Sequence, residues 1–258
     1  KEDAVIHACV TSVLRQTYPA ELYDLIVISD HMRPETNALL RKERISLIEL
    51  HEKESSKAKA LRIAAETITD QPYDYVLILD ADNLISPCYL QELNKAASQS
   101  IKAIQTHRKA KNMNTDIALL DAAIEEMNNS IFRLGFSSAL TGSGMAFDFR
   151  WFVRNIIHTH STGEDKELEE LLLRQGIHIE YIDTLETLDE KVRQPDALRN
   201  QRRRWIATQL FLALKMGRNL PTALLNGNGD YLLKTLQAFI APRSILLALI
   251  GFFSCVLC

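Results

Sequence analysis

The sequence has little of what marks a disulfide-stabilised or a nucleic-acid-binding protein. Its 258 residues include four cysteines whose spacing forms no disulfide or zinc framework: Cys9, Cys88, Cys255 and Cys258. The last two form a C-x-x-C inside an apolar run, which favours packing or lipid contact over zinc or redox chemistry. The formal net charge is −3, and no Lys/Arg-rich block occurs apart from the short run 202–204. We therefore expect a reduced, cytosolic setting and no nucleic-acid partner.

Internal repeats and low-complexity tracts are also missing. With 47% hydrophobic and 24% charged residues, a chain of this length can bury a full core, and single α/β domains of this size are common. The sequence therefore predicts one main domain plus an appendage.

The appendage is suggested by an apolar C-terminal run. Residues 244–258 read SILLALIGFFSCVLC and carry no charge, whereas about 20 apolar residues span a bilayer. Its apolar side chains would cover all sides of a helix. We expect the start of a transmembrane helix here, preceded by interfacial helices from residue 219 on, and a buried C-terminal helix is the alternative.

One stretch organises the main domain, residues 75–83, which read YVLILDADN. Its apolar part predicts a strand buried on both faces of a sheet. Asp80 and Asp82 follow directly. Ligands of open α/β sheets collect beyond the carboxyl ends of the strands, and carboxylates there can hold a divalent cation against a phosphate. The stretch therefore predicts a nucleotide-handling site.

Hydrophobic periodicity predicts alternating strands and helices around this strand. We expect strands at 24–29, 45–50, 75–79, 101–106 and 177–182, and helices at 4–15, 37–44, 55–68, 89–97, 115–134, 164–174 and 195–215. This order indicates the α/β class.

Two of the predicted helices, and the glycine-containing stretch at 140–149, carry residues whose interpretation is open. Lys57 and Lys59 at a helix start oppose the helix dipole unless an anion is bound there. Gly142 and Gly144 would let the backbone approach a ligand, although a tight turn explains them almost as well. For the Glu164-Asp165 pair at a helix start, capping and catalysis are evenly matched from spacing alone.

Seven short segments then occur in an order typical of one protein family. They are SVLRQTYP at 12–19, the strand ending in Asp30, SKAKAL at 56–61, DAD at 80–82, TGSGMAF at 141–147, ED at 164–165 and QRRRW at 201–205. With them, the chain resembles the family 2 glycosyltransferases of GT-A fold, and within these the membrane-associated group of cellulose, hyaluronan and poly-N-acetylglucosamine synthases.

The resemblance implies a Rossmann-like mixed, mostly parallel sheet with helices on both faces, followed by interfacial helices and the start of a transmembrane helix. It divides the chain into a catalytic domain at 1–218 and a membrane-associated part at 219–258. The family's opening strand is expected to be missing ahead of Lys1.

The resemblance also implies a donor site. Asp30 would contact the uracil or ribose of a UDP-sugar, and Lys59 the nucleotide region. Asp80 and Asp82 would bind the sugar-nucleotide and Mg²⁺ or Mn²⁺, with Asp82 as the more direct metal ligand.

On the acceptor side, the resemblance implies that Asp165 is the general base that deprotonates the acceptor hydroxyl. Gln201, Arg204 and Trp205 would shape the acceptor and diphosphate site, with Arg203 as a further candidate. Such a site performs in-line displacement at the anomeric carbon with inversion.

The function expected is inverting, metal-dependent transfer of a sugar from a nucleotide-sugar, a UDP-sugar above all, to a hydroxyl of a saccharide or lipid-linked acceptor. The catalytic domain would lie on the cytoplasmic face of the cell membrane. One alternative is a catalytically silent, membrane-bound scaffold homologue. Another is a nucleotidyltransferase on a related sheet, which would give no role to the QRRRW segment.

Overall fold

The computed structural model describes residues 2–51, 56–133, 135–161, 163–192 and 194–239. The expected start of a transmembrane helix at 244–258, with its C-x-x-C, lies outside these ranges. Within them, no helix combines the length and the apolar character needed to cross a bilayer.

The described residues form helices and strands that largely alternate. The helices are α1 (Ile6–Leu14), α2 (Pro34–Leu40), α3 (Lys57–Ile68), α4 (Tyr89–Ala97), α5 (Asp116–Phe132), α6 (Phe149–Ile156), α7 (Glu164–Arg174), α8 (Pro195–Leu225) and α9 (Gly229–Phe239). The strands are β1 (Ile26–Asp30), β2 (Ser46–Leu50), β3 (Tyr75–Ile78), β4 (Leu84–Ile85), β5 (Ala103–Ala110), β6 (Met145–Asp148) and β7 (Glu180–Asp189). The α/β class is confirmed.

The strands form two sheets of mixed direction. β1 and β2 pair in parallel, and the five-stranded sheet has the order β3-β6-β5-β7-β4. Only β5 and β7 run parallel in the larger sheet, since its other three pairings are antiparallel. The expectation of a mostly parallel sheet is therefore wrong. Apolar patterning identifies a strand but does not encode its direction.

β3 lies at one end of the five-stranded sheet. Its side chains do pack on both faces, because Val76 and Ile78 join one core cluster and Leu77 joins another. Full burial, however, is wrong: Ile78 is buried and the other three residues of β3 are only half-buried. Within the described residues, β3 pairs only with β6. The other edge of β3 has no paired strand there, so the residues of β3 are partly exposed.

The core lies on both faces of the larger sheet. On one face, α3, α6 and α7 cover a cluster that includes Ile78, Phe147, Phe152 and Leu172. On the other face, α1 and α4 cover Ile85, Ile104 and Ala146. These helices fix the strand ends, and with them the loops that carry the polar motifs.

Several elements differ in extent from the sequence prediction. α6 is unpredicted, and begins where the Asp148 carboxylate accepts a hydrogen bond from the Trp151 N–H (2.7 Å). β7 continues to Asp189, and α8 runs through Pro221 to Leu225. The end of α8 packs with α9 in a cluster that holds Met216, Ala223 and Tyr231. This packing outweighs the backbone hydrogen bond that a proline removes. Residue 218, the expected domain boundary, is inside α8.

Candidate functional site

The glycine loop (residues 141–144) lies against the DAD turn (residues 80–83), because β6 pairs with β3 and the loop enters β6. The Gly144 N–H donates to the Ile78 carbonyl (2.9 Å). The Asp80 N–H lies 2.8 Å from Asn83 Oδ1 and 3.1 Å from Ser143 Oγ, and the Ser143 hydroxyl also donates to Asn83. Two motifs about sixty residues apart thus share one hydrogen-bonded unit.

The two glycines of this loop have different roles. Both have positive φ, +87° at Gly142 and +64° at Gly144. A Cβ on Gly144 would lie 2.3 Å from Thr106 Oγ1, so this glycine permits close packing in the core. A Cβ on Gly142 would instead lie 3.9 Å from both Asp165 Oδ2 and Lys57 Nζ. Gly142 therefore faces the candidate site.

Lys57 joins the two acidic motifs. Its ammonium group donates to the Asp80 carboxylate and to the Gly142 carbonyl (2.5 Å), and it lies 3.8 Å from Glu164 Oε1. Lys57 begins α3, whose N-terminus is capped by the Ser56 hydroxyl. The unfavourable position of a lysine at a helix start is thus offset by two carboxylates.

The lysine at Asp80 is Lys57, whereas the resemblance points to Lys59. The backbone N–H of Lys59 contacts the Ser56 hydroxyl (3.2 Å). The sequence makes Lys57 as good a candidate as Lys59, since both lysines lie in the first turns of the predicted helix. Spacing alone did not decide between them.

Glu164 and Asp165 begin α7 beside the glycine loop. Burial raises the pKa of Glu164 to about 7, the negative charges of Asp165 and Asp80 add to this, and Lys57 opposes it. Burial also raises the pKa of Asp165, against the lowering effect of Lys166. Carboxylates held above their ordinary pKa are stronger proton acceptors. The position of Asp165 at Gly142 adds a site contact that capping does not explain.

Asp82 is half-buried in the DAD turn, and its carboxylate accepts a hydrogen bond from the side-chain amide of Asn83 (Nδ2 to Oδ1, 3.3 Å). Burial raises its pKa to about 6, and the neighbouring Asp189 and Asp80 carboxylates raise it further. A cation near Asp82 would relieve this unfavourable charge.

The donor set decides what kind of metal site is possible. The part of the chain that the structure describes contains no group of three or more His, Cys, Asp or Glu side chains able to hold a metal ion. Asp80 and Asp82 could supply two oxygen ligands. This suits Mg²⁺ or Mn²⁺ shared with substrate phosphates, because Mg²⁺ is commonly held by one or two carboxylates and phosphate oxygens.

Asp30 ends β1, in the smaller sheet, and its carboxylate lies 3.7 Å from His31 Nε2. Val27 of the same strand belongs to a core cluster that Ala81 of the DAD turn contacts. The structure thus places β1 beside the DAD turn, but Asp30 is not among the residues that contact Lys57.

The QRRRW segment lies on α8, which packs directly on the start of α7. A Cβ on Gly163 would lie 2.4 Å from Thr208 Cγ2. Gln201 is two helical turns before Thr208 and so lies on the same face of α8. Its side-chain Oε1 is buried without a hydrogen-bond partner.

The other residues of the segment are more exposed. Arg202, which the prediction omitted, pairs with Asp121 of α5 (2.5 Å) and stacks over the Trp205 ring, 5.2 Å from its centroid. Arg203 and Arg204 are exposed, and Trp205 is 43% exposed. In the part of the chain that the structure describes, Arg203, Arg204 and Trp205 make no contact with Lys57 or with the residues around it.

Solved structures of similar fold are known. TarS of S. aureus, residues 1–349 in complex with UDP, matches with a TM-score of 0.57 and 12% identity over 83% of this chain and 62% of that one. The mannosyltransferase PcManGT of Pyrobaculum calidifontis, in complex with GDP-Man and Mn²⁺, matches with a TM-score of 0.62 and 15% identity over 98% of this chain and 77% of that one. The chain thus spans less than two thirds of this TarS structure. At such identities the likeness shows the fold.

Comparison with curated protein sequences gave no significant match. A family model described as "Glycosyltransferase like family 2" matches residues 1–208. The matched region contains the DAD turn, the glycine loop, the start of α7 and the QRRRW segment. The chain therefore belongs to glycosyltransferase-like family 2, and its mixed α/β fold is GT-A-like.

Proposed function

We propose that this protein transfers a hexosyl group, with inversion, from a nucleotide-sugar to a hydroxyl of a saccharide or lipid-linked acceptor. The observation that carries the proposal is the meeting of Asp80, Gly142 and Glu164 around Lys57, with Asp165 at the same glycine. The Lys57 ammonium group thus connects Asp80, a proposed metal ligand, to the start of α7, where Asp165 is the proposed base.

The residues divide between donor and acceptor. Lys57 would neutralise charge on the leaving diphosphate, and Asp165 would take the proton of the attacking hydroxyl. Bound at Asp80 and Asp82, Mg²⁺ or Mn²⁺ would add Lewis-acid stabilisation of the leaving group. Attack assisted by a single base inverts the anomeric carbon and needs no covalent intermediate.

The donor is proposed to be a UDP-sugar. TarS has been solved with UDP and with UDP-GlcNAc, and PcManGT with GDP-Man and Mn²⁺, which supports a nucleotide-sugar and a divalent cation here. Asp30 is proposed at the uridine, beside the DAD turn. Gln201, Arg203, Arg204 and Trp205 are proposed at the diphosphate and acceptor side, with Lys59 as a more distant nucleotide contact.

Isothermal titration of the protein with UDP and with GDP, each with and without Mn²⁺, tests the donor half. We expect UDP to bind in the presence of Mn²⁺ and at least tenfold more weakly without it, because two carboxylates without a cation repel a diphosphate. Incubation with UDP-sugars labelled separately in the sugar and in the nucleotide then shows which group is transferred.

Two results would contradict the proposal. Absence of UDP and GDP binding with Mn²⁺ present would support a silent scaffold. Transfer of the nucleotide label would instead identify a nucleotidyltransferase.

We also propose that the protein works on the cytoplasmic face of the cell membrane, attached through α8. No acidic residue occurs in residues 197–229, whereas arginines and lysines recur along them. The exposed face of α8 is apolar, with Leu210 61%, Leu214 57% and Leu225 88% exposed, and Arg218 is exposed beside it. Apolar side chains flanked by cations suit an anionic lipid surface.

Sedimentation with vesicles tests this attachment. We expect the protein to bind phosphatidylserine-containing vesicles, and Leu210→Asp/Leu214→Asp to weaken binding about tenfold, since each change places a charge on the face meant to enter the lipid. Leu22→Asp is the control, because Leu22 is also 61% exposed and belongs to the segment between α1 and β1, not to α8. Equal binding of the α8 variant and the control would exclude this face as the attachment surface.

A further inference from the structure

A buried cluster of charged residues lies behind the DAD turn. It contains Arg108 of β5, Asp189 at the end of β7, Lys191 and, from α5, Glu125. Arg108 pairs with Asp189, and Lys191 pairs with both Glu125 and Asp189 (2.9 Å). Asp189 and Lys191 are 6% and 5% exposed. The cluster holds two positive and two negative groups, so its charges balance.

The Arg108–Asp189 pair reaches both halves of the site. Arg108 Nη1 donates to the carbonyl of Thr141, the first residue of the glycine loop (2.6 Å). Asp189 Oδ1 lies 3.3 Å from Asn83 Nδ2, in the DAD turn. One buried ion pair thus connects the glycine loop to the turn that carries Asp80 and Asp82.

The hydrogen bonds of Asn83 fix the orientation of its side-chain amide. Its amide oxygen accepts from the Asp80 N–H (2.8 Å) and from the Ser143 hydroxyl. Its Nδ2 lies 3.3 Å from both Asp82 Oδ1 and Asp189 Oδ1. A flipped amide would place its oxygen against two carboxylates, and an ionised carboxylate accepts but cannot donate. Asp189 and Asp82 together therefore fix which way the Asn83 amide points.

We propose that Asp189 and Arg108 are positioning residues that hold the DAD turn and the glycine loop in register for a metal-nucleotide complex, acting through Asn83 and Thr141. This inference rests on the proposed nucleotide-sugar function. A buried ion pair adds little to stability over an apolar pair of similar volume, whereas residues that orient metal ligands typically change metal affinity roughly 10- to 100-fold.

The test uses the whole chain and isothermal titration of UDP in the presence of Mn²⁺. Arg108→Met/Asp189→Leu removes the pair together, and Lys191 and Glu125 still neutralise each other. We expect at least tenfold weaker Mn²⁺-UDP binding with an unchanged thermal unfolding midpoint. Lys109→Gln/Glu186→Gln is the matched control, because it removes an exposed ion pair (2.8 Å) between the same two strands, and it should bind as the unmodified protein does.

A second background separates positioning from a general structural effect. In a protein that already carries Asn83→Ala, the loss of Mn²⁺-UDP affinity caused by Arg108→Met/Asp189→Leu should be smaller, because the route through Asn83 is already removed. Only the part of the effect that passes through Thr141 should remain. Asp189→Asn is the second variant, in case the double variant fails to fold. It keeps the side-chain volume but leaves an unbalanced positive charge in the cluster, so its unfolding midpoint should fall, and at temperatures where it remains folded it should weaken Mn²⁺-UDP binding.

Each other outcome is decisive. Normal Mn²⁺-UDP binding by the folded double variant overturns the inference, as does an undiminished loss in the Asn83→Ala background. Unfolding of both the double variant and Asp189→Asn would show that the pair serves the fold. If the unmodified protein binds no nucleotide, the proposed function fails first, and that result is distinct from a variant that retains binding.

Discussion

Asp165→Asn should lower the rate of sugar transfer by about 10²–10⁴-fold, the scale of general-base catalysis, while UDP affinity changes less than about twofold. The amide keeps the size of the carboxylate but cannot accept the proton of the acceptor hydroxyl. Steady-state rates with labelled UDP-sugar and isothermal titration of UDP with Mn²⁺ measure the two quantities.

The pH dependence provides an independent readout of the same residue. The pKa of Asp165 is raised by burial, and only the ionised carboxylate can act as a base. The transfer rate should therefore rise with pH through this raised pKa, so its acidic limb lies above the 3.8 of an ordinary aspartate. In the folded state the raised pKa favours protonation, so Asp165 itself stabilises the fold as the pH falls from the folded toward the unfolded pKa.

Glu167→Gln is the control, since Glu167 lies on the same helix and instead accepts from the N–H groups of His160 and Ser161. Loss of UDP affinity in Asp165→Asn equal to its loss of transfer would show that Asp165 supports the site structurally. Retained transfer would assign the base to another residue, and Glu164, with a pKa of about 7, would be the next to test.

The order of motifs was enough to predict the protein family, because each motif is a short local sequence. The contact between motifs could not be predicted in the same way. Lys57 meets Gly142 across 85 positions, and the choice between Lys57 and Lys59 depends on how α3 is rotated against the DAD turn. Helix rotation follows from packing of Ala58, Ala64 and Ala65, and only Ala58 lies within the SKAKAL segment.

In the fold, too, local features could be predicted from the sequence and tertiary contacts could not. The sequence of α6, FRWFVRNI, is rich in aromatic and β-branched residues, which are also typical of strands, so its helix is decided by the Asp148 cap and by core packing. Strand direction in β6 and the Arg108–Asp189 pair, 81 positions apart, are likewise set by tertiary contacts. Local pattern therefore predicted element identity better than element pairing.

Lys57 raises a question about order of binding. In the structure its ammonium holds the Asp80 carboxylate, which is also a proposed metal ligand. The side chains of Lys57 and Asp80 are 33% and 37% exposed, so the pair is partly solvated and its attraction is moderated by water. A metal-nucleotide complex would draw Asp80 to the metal and offer Lys57 a phosphate oxygen in exchange.

Lys57→Met should therefore change two affinities in opposite directions. Binding of Mn²⁺ alone should strengthen a few-fold, because a like charge near Asp80 is removed. Binding of UDP at saturating Mn²⁺ should weaken on the order of tenfold, because a charge-assisted contact to the diphosphate is lost. Titration calorimetry with Mn²⁺, and with UDP in saturating Mn²⁺, measures both.

Lys59→Met is the comparison variant, since it removes a like charge two residues along the same helix. Because Lys59 is proposed as a more distant nucleotide contact, this change should weaken UDP binding less than Lys57→Met does and leave Mn²⁺ affinity unchanged. If it weakens UDP binding as much as Lys57→Met, the effect comes from the overall charge of the turn and the exchange at Asp80 is wrong. If both UDP and Mn²⁺ bind more weakly to Lys57→Met, Lys57 holds the shape of the DAD turn. Opposite changes in the two affinities, in Lys57→Met alone, follow only if one ammonium group neutralises Asp80 before the donor arrives and the diphosphate afterwards.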